Sequence, residues 1–210
     1  MALCRILRAT PGELVAEVEE RTRAAPPVPQ VSVLLAPPKG DRLSWAIQKL
    51  TEVGTDRLVL IQTGRSVRRW GRERGEKAVA RAAAVAREAA KQARRRFLPE
   101  VAGPVPWPAA LEAASARGPV FLLWEGASTG LAGQLPDEPP EELTLVVGPE
   151  GGILEEEARE AEERGARLAA LGTTILRTET AALAGASIAL SRYGRLGDRG
   201  EPLDPSDAAR

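Results

Sequence analysis

Two glycine-bearing stretches hold the residue types and spacing that chemistry asks for: LTLVVGPEGG at 143–152 and LGTTILRTETAAL at 171–183. In the first, the aliphatic run Leu143 to Val147 breaks at Gly148-Pro149-Glu150-Gly151-Gly152 and passes into a Glu-rich helical pattern. That order reads as strand, tight loop, helix. Glycine carries no Cβ and accepts positive φ, so a backbone built from it can approach a ligand closely. Charge narrows the ligand. A phosphate cradle wants bare helix amides with Lys, Ser or Thr close by, whereas this loop carries Glu150 and then Glu155, Glu156 and Glu157. It suits a neutral or cationic group held by main-chain atoms. In the second stretch Gly172 follows strand-like Leu168 to Leu171, and Ile175-Leu176-Arg177 lead into Thr178-Glu179-Thr180, the start of an Ala-rich helix over 180–191. Two strand-end loops this close in sequence are able to build one pocket at the carboxyl edge of a parallel sheet. The plainer alternative makes GPEGG a turn and the Ala-rich helix core.

Composition removes several other chemistries. The chain has 210 residues with 29 acidic and 29 basic side chains, so its net charge selects no partner, but the distribution is uneven. Arg65 to Arg96 holds twelve Lys/Arg against Glu73, Glu76 and Glu88, while Asp137 to Glu163 holds eleven acids against Arg159. A basic segment of this kind fits a polyanion, or simply a solvated helix. There is no histidine and one cysteine, Cys4, which excludes Ser-His-Asp catalysis, histidine-ligated metal, a zinc cluster and an intrachain disulfide; no metal is expected. The longest uncharged apolar stretch, Ala181 to Leu190, is too short for a bilayer, and the N-terminus lacks a signal-peptide pattern, so the expectation is a cytoplasmic protein without membrane attachment.

The positioning elements read as an α/β chain. Residues 1–23 offer two short strands around the turn Thr10-Pro11-Gly12, and Ala24 to Pro29 a hinge. Strands are expected near 31, 58, 120, 143 and 168, alternating with helices, hence a mostly parallel sheet with helices on both faces. Asp41 and Gly54 bracket a first helix with Leu43, Ile47, Leu50 and Val53 at core spacing. A long helix is expected over Glu76 to Arg96 with a stripe of Ala78, Ala82, Val85, Ala89 and Ala93, and Val101 to Pro108 reads as a connector. The expected division is a shortened N-terminal β module and linker at 1–30, a main domain at 31–193 and a flexible tail at 194–210.

GPEGG after an apolar strand, LGTTILRTETA beyond it, KGDRLSWAIQKLTEVG near the front and REAAKQARRRFLPEV between them resemble the RsmE family over roughly residues 31–193. The resemblance implies a SPOUT-class methyltransferase with a C-terminal trefoil knot, acting on N3 of a uridine in 16S ribosomal RNA of the small ribosomal subunit, and a homodimer. It implies S-adenosylmethionine among Trp124, Glu125, Gly148, Pro149, Glu150, Gly151, Gly152, Leu171, Gly172, Ile175, Leu176, Arg177, Thr180 and Ala181, with Gly151 intolerant of a side chain. Arg177 and Arg65 are the candidates to favour the uridine anion by charge. Lys39, Arg42, Lys49, Arg65, Arg94 and Arg95 are candidates for RNA contact, since phosphate needs positive charge in the right place. The family carries a β-barrel RNA-binding domain in front, and residues 1–30 are too few to make one. Another RNA target, such as ribose 2′-O, and a non-catalytic RNA-binding protein stay open as alternatives.

Overall fold

The computed structural model describes residues 2–21, 23–66 and 70–197. Two strands, β1 (Ala2–Thr10) and β2 (Glu13–Arg21), form an antiparallel hairpin about the Pro11-Gly12 turn, with every residue exposed. Its apolar side chains, Leu3, Ile6, Leu7, Leu14 and Val18 among them, face solvent. Ion pairs from Arg5 to Glu17 and from Arg8 to Glu13 tie the strands across.

The rest is one six-stranded parallel sheet in an α/β chain. Its strands are β3 (Gln30–Leu35), β4 (Arg57–Gln62), β5 (Glu100–Pro106), β6 (Val120–Leu123), β7 (Glu142–Val147) and β8 (Arg167–Ala169), arranged β5-β4-β3-β7-β6-β8. Between them run α1 (Arg42–Val53), α2 (Arg72–Gln92), α3 (Trp107–Ser115), α4 (Leu131–Gln134), α5 (Glu155–Glu163) and α6 (Thr178–Arg192). Alternate strand residues serve opposite faces. Val31, Val33 and Leu35 of β3 pack with Ile47 and Leu50 of α1, Ala82 and Ala86 of α2, and Ala182, Ala186 and Ala189 of α6. Leu34, Val59, Leu122 and Val146 pack on the other side with Trp107 and Leu111 of α3 and Ala158 and Ala161 of α5. Strands buried on both faces read as continuous apolar runs, which is why LVLI, VFLL and LTLVV are legible as strands.

Three expectations change. The Pro-rich stretch expected as a connector forms β5, the edge strand beside β4, where a residue without an N–H is tolerated. Its ladder is irregular at the prolines, shifting register between Val59 and Ile61 of β4. The long helix α2 starts at Arg72 and ends at Gln92, four residues earlier than expected at each end. Its buried stripe accordingly becomes Gly75, Ala82, Ala86, Ala89 and Ala90, and Arg94 turns the chain in the left-handed region at φ 51°. Residues 194–197 are held, because the Arg195 guanidinium donates to the Pro29 and Gly54 carbonyls and to Asp56; the expected tail at 198–210 lies outside the described residues.

Candidate active site

Because every strand of the sheet is parallel, the loops that follow them emerge at one edge, and the chain's direction across the sheet reverses between β3 and β7. Such a reversal opens a crevice at the carboxyl ends of the strands. Beside it, at the same edge, the loops after β6, β7 and β8 enclose a pocket of about 280 Å³. Trp124, Glu125, Gly148, Pro149, Glu150, Gly152, Leu171, Ile175, Leu176, Arg177 and Ala181 line it, so the two glycine-bearing stretches do come together. Gly151, Gly172 and Thr180 do not line it. Gly151 turns its carbonyl to the Arg65 guanidinium, which donates at 3.0 Å, and Gly172 and Thr180 lie exposed.

Leu123, Val147, Ile153, Thr174 and Thr178 join the wall. The first two are the last residues of their strands, and any pocket at this edge takes its floor from such positions. That rule is readable from sequence. Nothing in the sequence singled out Thr174.

The loops are latched to one another through backbone amides and carboxylates. Gly152 donates to the Pro149 carbonyl at 2.8 Å, closing the turn, and its φ of 75° is one that a side chain resists. A Cβ on Gly148 would meet Ile153 at 2.8 Å. One on Gly151 would meet its nearest neighbour, Arg65 Cβ, at 3.4 Å, so within the chain's own packing it is Gly148 and Gly152 that resist a side chain. Glu157, nine-tenths buried, accepts from Gly64 N at 2.7 Å and from Leu154 N at 3.1 Å, capping α5 and fastening the β4 loop to it. Glu150 Oε1 accepts from Lys39 N at 2.9 Å, fastening the β3 loop to the GPEGG turn. Burial pushes the Glu150 carboxyl up, but the Lys39 amide, its own amide and the Arg42 and Lys39 charges outweigh that and hold it below the ordinary carboxylate range. The pocket thus offers an apolar floor, two carboxylates at Glu125 and Glu150, main-chain groups around glycine and one arginine, Arg177. A flat apolar group joined to a positive charge fits that set.

A family model described as an RNA methyltransferase domain matches residues 25–190. The chain belongs to this family. Ribosomal RNA small subunit methyltransferase E of Mycobacterium tuberculosis is 36% identical over 203 residues, covering 95% of this chain and 76% of the relative. The protein of the same name from Bacillus subtilis is 33% identical over 70% of this chain and 59% of its own length. Among solved structures, ribosomal RNA small subunit methyltransferase E from Neisseria gonorrhoeae bound to S-adenosyl methionine superposes with a TM-score of 0.78 at 26% identity, over 90% of this chain and 78% of that one. The SpoU methyltransferase AviRb from Streptomyces viridochromogenes shares the fold at a TM-score of 0.52 and 17% identity, over 87% of this chain and 70% of that one.

For a methyltransferase domain of this family the cations matter next. Arg177 is exposed, caps the start of α6 with its backbone and lines the pocket; among the described residues its guanidinium has no ion pair. Arg65 stands outside the pocket beside the GPEGG turn. Lys39 is exposed, with only its amide engaged. Arg42 lies between Glu150 at 3.8 Å and Glu179 at 3.6 Å. Lys49 is paired with both oxygens of Glu52. Arg94 is exposed.

Arg95 corrects the sequence reading. It is not a free surface cation: its side chain is 11% exposed and donates to the carbonyls of Thr51, Gly54 and Thr55 and to Asp56. Burial lowers its pKa, Asp56 raises it and Arg195 lowers it again.

Among the described residues no group of three or more His, Cys, Asp or Glu is placed to hold a metal, and no helix is long and apolar enough to cross a membrane.

Proposed function

We propose that this chain transfers a methyl group from S-adenosylmethionine to N3 of a uridine in 16S ribosomal RNA, in the small subunit and in the cytoplasm. The observation that carries the reading is the meeting of the GPEGG turn and residues 171–178 in one pocket with acidic and apolar walls. The names of the relatives and the cofactor seen in the Neisseria structure support it.

When bound, the cofactor supplies a methyl group on a positively charged sulfur. The chain's own share is placement. The main chain of Gly148 to Gly152 with Leu171, Leu176 and Ala181 would hold the adenosyl group, and Glu125 and Glu150 would face positive charge. Methyl transfer to a ring nitrogen needs little acid–base machinery, so the rate is gained mainly by holding nucleophile and donor in line and by fixed charge. Arg177, unpaired on the wall, favours the uridine anion as the N3 proton leaves to water. Arg65 supports the turn through Gly151.

Two further features of the reading concern architecture. A trefoil knot is supported by the way β8 leaves the sheet: Leu131 N donates to the Ala170 carbonyl and Ala170 N to that of Thr129, placing the exit against the β6 loop before α6 packs back on β3 and β7. A homodimer is supported by large apolar side chains left open, Ile175 on the pocket wall at 86% exposure and Trp45 on α1 at 41%.

The test is calorimetric titration with S-adenosylmethionine, followed by incubation with unmethylated small subunits and mass spectrometry of the digested nucleosides. The expected result is stoichiometric cofactor binding and 3-methyluridine. Absence of cofactor binding, or methyl found on ribose oxygen, overturns the reading.

A further inference from the structure

A second concavity, of about 270 Å³, lies between α1 and α2. Its floor is apolar, from Leu43 and neighbouring aliphatics, and one wall carries Arg74, Lys77 and Arg81 with Trp70 at the end. On a helix, residues spaced by three and four share a face, so these three cations stand in a row along α2. Among the described residues Arg74 and Arg81 have no ion pair. Lys77 meets Glu73 at 2.6 Å, but the two side chains are 75% and 81% exposed, and such a pair is weak. Among the described residues Asp41 is the only acid in the lining.

The groove begins at Gly40 and Asp41, next to Lys39, whose amide is bonded to Glu150 of the candidate active site. One end of the groove therefore lies one loop away from that pocket, joined to it through the Lys39–Glu150 bond.

Resting on the methyltransferase reading above, we infer that this groove is a seat for single-stranded RNA flanking the target nucleotide, with phosphates on Arg74 and Arg81 and a base against Trp70. Phosphate needs point charges at backbone spacing, and an indole face takes any base. A second copy of this chain is a poorer occupant, because covering three cations at a protein interface costs more than it returns unless each gains an acidic partner. Half of the six residues named from sequence for RNA contact are committed elsewhere: Arg95, Lys49 and Arg42 all hold carboxylates or carbonyls. Arg74 and Arg81 carry no such commitment among the described residues, and they stand on one face of α2 beside the groove.

The experiment compares wild type with an Arg74→Glu/Arg81→Glu double variant and a Trp70→Leu variant. Three readouts are taken: binding of a fluorescein-labelled oligouridylate as a function of potassium chloride, KM and kcat on unmethylated small subunits, and cofactor titration. Each lost phosphate contact removes about 0.7 from the slope of log affinity against log salt, so the double variant is expected to flatten the slope by roughly 1.4 and to raise KM. Trp70→Leu is expected to weaken oligouridylate binding about tenfold, with Trp70→Phe restoring most of it. Cofactor affinity stays at the wild-type value in all three. An unchanged salt slope and KM in an enzyme that still binds cofactor and methylates overturns the groove alone. A double variant whose sedimentation shows a changed oligomeric state overturns it too, in favour of a subunit contact. Loss of cofactor binding in wild type itself is failure of the underlying reading.

Discussion

The two edges of the sheet treat the same residue types in opposite ways. At the amino edge, Arg95 and Arg195 converge on Asp56, which also accepts from Val31 N at 2.8 Å, and the side chains of the three are 10–12% exposed. At the carboxyl edge Arg177 and Arg65 stand exposed, and it is carboxylates that are engaged: Glu150 and Glu157 hold loop amides, and Glu179 pairs with Arg42. The difference follows from the polarity of a strand-helix-strand unit. Helices start where strands end, so helix amide ends and their partial positive charge collect at one edge, and helix carbonyl ends collect at the other. Arginine at the carbonyl end is consumed as a staple across Thr51, Gly54 and Thr55. At the amide end carboxylates latch the loops, and Arg177 on the pocket wall keeps its charge for a ligand.

The comparison breaks most visibly at Asp56. Its replacement by alanine leaves two buried guanidinium groups facing one another, and urea unfolding is expected to show a loss of about 3–5 kcal/mol. A loss below about 1 kcal/mol would mean that water already screens the amino edge. Arg177→Ala is expected to do the opposite: kcat falls on the order of a hundredfold while the unfolding midpoint stays put. If cofactor affinity falls instead of kcat, Arg177 is a holding residue and its charge does not act on the uridine.

Arg95→Lys sharpens the contrast at smaller scale. A single ammonium cannot span the carbonyls that the guanidinium fork reaches, so stability drops by about 1–2 kcal/mol with no change in the salt dependence of RNA binding. A change in that salt dependence would return Arg95 to the RNA-facing set. The smallest effect concerns Glu150. Its pKa is held below the ordinary range in the folded state, so its clamp on the β3 loop is complete above the unfolded value, near 4.3 for a free glutamate, and is lost as pH falls through the lower folded value. Glu150→Gln is expected to weaken cofactor binding a few-fold at neutral pH, with the gap to wild type constant down to about pH 4.3 and closing as pH falls further through the lower folded value. A gap that stays constant under acid would show that the charge of Glu150 is irrelevant to the clamp.

Much of this was legible in particular residues. Leu143 to Val147 and the break at Gly148 announced a strand running into a backbone-lined turn, because aliphatic runs and glycines act over a few residues. Val147 and Leu123, which the sequence reading did not single out, sit on the pocket floor by the same logic, as the last residues of their strands. The strand at Glu100–Pro106 was not legible, since its prolines are acceptable only at a sheet edge and edge position is a property of the assembled sheet. Arg95 misled for a related reason: Arg94, Arg95 and Arg96 are alike in sequence, and only the left-handed turn at Arg94 sends the second of them inward.

By itself the sequence determined the α/β alternation, the two glycine-bearing turns, the acidic cast of their surroundings and the family to which the chain belongs. Those are matters of local conformational preference and residue type. The tertiary structure decided which turns share a pocket, which carboxylates latch them and which of the many arginines remain free, because each of these depends on strand order and on helix ends brought together from distant parts of the chain.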